Sequence, residues 1–140
     1  MSIPQTLIFG FLDFKYLPTP EIVPPVPTPT MKWVIFDENE IYPYVTEGIG
    51  EDILPKNVDF NIIDGFTKVT DKDAAVFTQK LAKEEGMFLG NSAGAAIKGL
   101  LQLKNHFNED DVVVVLFHDH GSRYVGKMFN DDWMKKMGYL

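Results

Sequence analysis

Four valines in a row, 112 to 115, followed by Leu116 and Phe117, limit what this chain can fold into more than any other stretch. A strand turns successive side chains to opposite faces, so "VVVVLF" places apolar groups on both. Such a strand belongs inside a sheet covered by helices on each side, as parallel strands are. The acidic run "NEDD" before it reads as a solvated turn, and "HDHGSRY" as the loop at its C-terminal end.

The upstream residues supply the covering elements. Thr70 with Asp73 three positions on has the form of a capping box, in which both side chains satisfy free amides at a helix start. Ala74, Phe77, Leu81 and Ala82 recur at helical spacing, and Gly86 stops the helix. "MFL", residues 87 to 89, predicts a short buried strand. After "GNS" a second helix is predicted from about 93 to 105, with small residues in its first turns. "YVGKMFNDDWMKKMGYL" predicts two short helical pieces. The fold class expected is α/β, a mostly parallel sheet with flanking helices. Ligands in such sheets sit at the C-terminal ends of strands, where both "GNS" and "HDHGS" lie.

Composition narrows the function classes. The 140 residues carry a net charge of −7, which argues against a grip on nucleic acid or on an anionic membrane surface. The absence of cysteine removes disulfides and thiolate metal sites. The N-terminus has no targeting pattern, and no apolar run reaches the roughly 18 residues of a membrane-spanning helix. A soluble, cytoplasmic protein is expected. Seven of the nine prolines fall between Pro4 and Pro29, so residues 1–34 are expected to be irregular, and the globular texture begins at residue 35.

"GNSAG", residues 90 to 94, has the G-x-S-x-G form of a nucleophile elbow, with His118 or His120 as a possible base. Against hydrolysis, the usual order is serine, acid, histidine, and Asp111 opens a strand at the wrong end. Ser92 also suits the N-cap of the second helix. His118 and His120 with one carboxylate suggest zinc or iron, but no third ligand stands at a suitable spacing, and no metal is assigned. Histidines that line a pocket or bond the backbone are the plainer reading. Gly48-Ile49-Gly50 fits a turn or a close backbone approach and is too short for a phosphate loop.

Taken together, "TEGIGEDILP", "EEGMFLGNSAGAA", "VVVVLFHDHGSRYVGKMFNDDWM" and the closing "GYL" resemble, in order, the C-terminal part of cystathionine β-synthase. More broadly they are similar to the cysteine synthase group of fold type II pyridoxal-phosphate enzymes. The resemblance implies that residues 35–140 are the C-terminal part of a catalytic domain, an incomplete large domain of that fold. It also implies that Ser92 is no nucleophile and instead donates its hydroxyl to the pyridine nitrogen of pyridoxal 5'-phosphate. A neutral donor leaves that nitrogen unprotonated, a weaker electron sink suited to β-elimination and β-replacement. Gly48 and Gly50 become cofactor-binding candidates. Ile49, Gly90, Asn91, His118 and Asp119 become lining candidates, His118-Asp119 standing where the family has Pro-Asp.

The departures are as informative. The family's Schiff-base lysine, its asparagine loop and its glycine- and threonine-rich phosphate loop have no counterpart, and residues 1–34 occupy their place. The resemblance therefore implies a fragment of a cystathionine β-synthase-like enzyme, joining serine or an activated serine to a thiol such as homocysteine. It has no catalytic residue of its own and is inactive alone. An amino-acid substrate and a homo-oligomer, or association through an exposed sheet edge at "VVVV", follow as expected partners. A non-catalytic remnant acting by association, and a serine hydrolase using Ser92, remain as alternatives.

Overall fold

The computed structural model describes residues 44–47, 56–59 and 62–140. Helix α1 spans Asp71–Glu85, α2 spans Asn91–Gln102 and the short α3 spans Asp131–Lys136; tight 3-10 turns at Lys104–His106 and Gly121–Tyr124 lie between. The residues Gly48, Ile49 and Gly50, and the whole segment 1–34, lie outside the described residues.

Helix α1 forms as its capping chemistry dictates. Thr70 Oγ1 accepts the Asp73 N–H at 3.1 Å, and Asp71 and Asp73 put negative charge on the positive end of the helix. At the other end Gly86 takes a left-handed φ of 68°, and the Met87 N–H closes back onto Leu81 O at 3.2 Å. The buried face is not quite the predicted stripe. Ala74, Ala75, Thr78, Gln79 and Leu81 are buried, while Phe77 is only half-buried, its ring carrying the ammonium groups of Lys80 and Lys98 at 5.6 and 5.4 Å. The reason is the closeness of α2. A Cβ on Gly94 would stand 2.3 Å from Ala74 O and 2.2 Å from Thr78 Oγ1, so only small side chains fit where the helices cross. Large Phe77 is displaced to the rim.

Helix α2 begins two residues earlier than predicted and ends in the Lys104–His106 turn. Its N-cap is Gly90, which has no side chain to cap with, so Ser92 is not the cap. Gly90 is small for a reason of its own: a Cβ there would fall 1.7 Å from Asp119 Oδ1 and 2.9 Å from the Tyr124 ring.

Two apolar clusters form the core. Val69, Ala74 and Ala95 pack with Tyr44 on one side. On the other, Ala75, Tyr124, Met128 and Met134 gather Val45, Val76, Phe129, Trp133 and Tyr139. Asn130 caps α3, its Oδ1 accepting the N–H groups of Asp132 and Trp133 at 3.0 and 3.2 Å.

The expected sheet is not formed among the described residues. Segment 112–117 joins no ladder among the described residues, and Val112, Val114 and Leu116 are 91%, 79% and 66% exposed. "MFL" is likewise no buried strand: Met87 and Phe88 are exposed, and Leu89 makes a single antiparallel bridge to His120. Strand pairing needs a neighbouring backbone, and α1 and α2 pack on each other instead of sandwiching the valines. The expected turn before that segment is present, with Asn108 N–H donating to Asp111 Oδ2 at 2.7 Å.

Candidate functional site

The first turn of α2 and the loop after the valine segment come together, as the sequence predicted for "GNS" and "HDHGS". The Gly90 N–H donates to Asp119 O, and the Gly121 N–H donates to Phe88 O, each at 3.0 Å. The His120 ring meets Phe88 edge-on at 5.1 Å, and its Nδ1 accepts the Ser122 N–H at 3.3 Å. That ring is thus occupied in capping the Gly121–Tyr124 turn. Phe88 also packs on Phe129, with ring centroids 4.5 Å apart.

Asp119 stands at the centre of this junction. Its Oδ2 accepts the Tyr124 hydroxyl at 2.9 Å, whereas its Oδ1 is buried against Gly90 with no hydrogen-bond partner among the described residues. Burial, and then the bond to Asp119, push the Tyr124 hydroxyl up to about 12. Histidine 118 is largely exposed. Partial burial lowers its pKa below the ordinary value, and the neighbouring Asp119 charge opposes that shift. No group of three histidine, aspartate or glutamate side chains able to hold a metal occurs among the described residues.

Ser92 is 5% exposed and lies in the first turn of α2, and its hydroxyl makes no hydrogen bond among the described residues. A serine hydroxyl in the first turn of a 12-residue helix, at its positive end, is a donor available to a ring nitrogen. In this respect the residues present fit the pyridine end of pyridoxal phosphate. Asn91, expected to line the site, is 0% exposed and turned into the protein. Its Nδ2 donates to Thr46 Oγ1 at 2.6 Å, and its Oδ1 lies 3.4 Å from Thr78 Oγ1.

Thr46, Asp71 and Tyr124 were not singled out from sequence. Asp71 accepts the N–H groups of Val45 and Thr46 at 2.7 and 3.0 Å, which ties segment 44–47 to α1. Lys127 pairs with Glu47 and holds the same segment from the other side. Only the placement of Thr46 directly before "EGIG" and of Tyr124 in "GSRY" hinted at them.

Comparison with known proteins identifies the family. Residues 19–119 match the family described as pyridoxal-phosphate dependent enzyme, the match beginning inside the proline-rich segment. The chain is 34% identical over 104 residues to cystathionine beta-synthase of Oryctolagus cuniculus, covering 74% of this chain and 19% of that protein. It is 34% identical over 93 residues to cysteine synthase of Helicobacter pylori, covering 66% of this chain and 30% of the other. Among solved structures, O-ureido-L-serine synthase superposes with a TM-score of 0.60 at 28% identity, covering 70% of this chain and 34% of the other. The O-acetylserine dependent cystathionine beta-synthase from Helicobacter pylori superposes with a TM-score of 0.55 at 36% identity, over 63% and 29% respectively. The chain thus spans about a fifth to a third of the length of these proteins.

Proposed function

Since the chain belongs to the family of pyridoxal-phosphate-dependent enzymes, which its match over residues 19–119 establishes, we propose that it is part of a cystathionine β-synthase-like enzyme. The reaction is β-replacement on serine or an activated serine by a thiol such as homocysteine. The observation that carries this reading is Ser92: buried, in the first turn of α2, and with its hydroxyl unclaimed among the described residues.

Pyridoxal phosphate, when bound, supplies an electron sink for a carbanion at the amino acid's Cα. The chain's own contribution is to orient the ring and to hold its nitrogen neutral. Ser92 donates a hydrogen bond without supplying a negative charge, and the α2 N-terminus disfavours added positive charge beside it. The backbone of Gly48 to Gly50, Gly90, and the His118-Asp119 loop with Ile49 complete the proposed lining. Segment 112–117 takes its place in a mostly parallel sheet once neighbouring strands are supplied, and the same unpaired edge is the surface for association. The 140 residues alone are inactive, because no lysine among them stands in a family-like context for covalent attachment.

The test is borohydride trapping of the full chain with pyridoxal phosphate, followed by peptide mapping. Scattered, substoichiometric labelling of lysines is the expected result. One lysine labelled stoichiometrically, and lost in Ser92→Asp, would overturn the claim of inactivity and show a self-sufficient cofactor site.

A further inference from the structure

Helix α2 starts without the usual side-chain cap, since its N-cap is Gly90. Something else must fix where its first turn sits. On one side the Gly90 N–H bonds to Asp119 O at 3.0 Å. On the other, a buried to partly buried set of hydrogen bonds runs from α2 through segment 44–47 to the start of α1. Asn91 Nδ2 donates to Thr46 Oγ1 at 2.6 Å, and the same hydroxyl donates to Asp71 Oδ1 at 2.6 Å. Asp71 also accepts the Thr46 N–H at Oδ1 and the Val45 N–H at Oδ2. Thr46 is 1% exposed and Asn91 0%, so water cannot replace a lost partner.

We propose that Thr46, Asp71 and Asn91 are positioning residues that hold the first turn of α2, and with it Ser92, in register with segment 44–47. The consequence for the cofactor rests on the role proposed for Ser92; the coupling itself does not. The Thr46 hydroxyl is used in both directions, as acceptor from Asn91 and donor to Asp71. Removing it strands a buried amide donor and deprives a carboxylate oxygen of one of its donors, which costs more than the net worth of the bonds. Members of such a network stabilise one another because the surrounding dielectric is low. Asn91 shares a peptide plane with Ser92, so a displacement of one moves the other. The partners are 25 and 45 residues apart in sequence, and no local geometry substitutes for the link.

The test is residue-resolved amide exchange on the full chain, comparing wild type, Thr46→Val and Thr46→Ser. Amides of Val45 and Thr46 report segment 44–47; those of Gly90, Ala93 and Gly94, bonded to Asp119 O and Gly90 O, report the start of α2. The valine variant is expected to speed exchange about tenfold or more at both places while leaving α1 from Gln79 to Lys83 near its original rate. The serine variant, which keeps the hydroxyl, is expected to restore both. Faster exchange at Val45 and Thr46 alone would overturn the coupling, and so would a uniform rise through α1 and α2. If Thr46→Val does not fold, Asp71→Asn is read by the same criteria. The exchange measurement uses no cofactor, so failure of the cofactor role proposed for Ser92 would leave its result standing.

Discussion

The junction of α1 and α2 and segment 112–117 are both rich in small or β-branched apolar residues, yet they behave in opposite ways. At the junction Ala74, Ala75, Ala93 and Gly94 are buried and the polar groups between them are bonded. In the segment, Val112 and Val114 face solvent and the backbone joins no ladder. A helix satisfies its own backbone and needs only one covered face, whereas a strand needs partners for its edges as well as its faces. The first requirement is met within a few dozen residues of chain; the second depends on neighbouring strands.

The sharpest way to break the comparison is at the close crossing. Gly94→Ala puts a methyl group within 2.3 Å of Ala74 O and 2.6 Å of the Thr78 amide nitrogen, and backbone cannot swing aside as a side chain can. The helices must separate, and a loss of about 3 kcal/mol is expected. Urea unfolding followed by circular dichroism measures it. A loss below about 0.5 kcal/mol would mean that the two helices are not held at this distance.

Next in size is the Asp119–Tyr124 contact, which fastens the loop after the valine segment to the start of α2. Tyr124 has its pKa raised from 10.0 to about 12, so the fold favours the protonated phenol. Its contribution is intact below pH 10 and is lost as the pH rises through about 12, a difference of roughly 2–3 kcal/mol. Tyr124→Phe removes both the bond and the titration. The variant is expected to be less stable than wild type near pH 8, with the two stability curves converging at the alkaline end. Tyr139, also raised by burial and then by the Asp71 charge, is present in both proteins and cancels. Parallel curves across the range would rule out Tyr124 as the source of the alkaline loss.

The same contrast explains what could be read from the sequence. Helix α1 was legible because its signals are local: a threonine cap, an aspartate three residues on, a glycine stop. The meeting of "GNS" with "HDHGS" matches the expectation, although the strands from which it was argued are not formed among the described residues, and the family was legible from motifs in order. The cap of α2 was misread because G-x-S offers both a hydroxyl and a glycine, and contact with Asp119 decides for Gly90. The Thr46–Asp71–Asn91 network was invisible, since each bond joins residues whose proximity follows only from the packed fold. Composition can mark the valine run as wanting burial, but it cannot say whether partners are present.

The smallest expected effect is therefore also the most diagnostic. Val114 is 79% exposed, so Val114→Lys removes little burial from this chain and should change its stability by no more than about 0.5 kcal/mol. Its effect falls on association instead. An apolar segment whose backbone joins no ladder among the described residues is a template for another strand, and a lysine on it opposes both edge pairing and face packing. Sedimentation velocity across a concentration series should show wild type self-associating and the variant remaining smaller at the same concentration. A variant that unfolds easily would mean that the valines are covered in solution after all, and the contrast between the two regions would fail. If wild type and variant sediment alike, stability unchanged, self-association does not run through this segment, and its apolar character is left for strands of a different chain to cover.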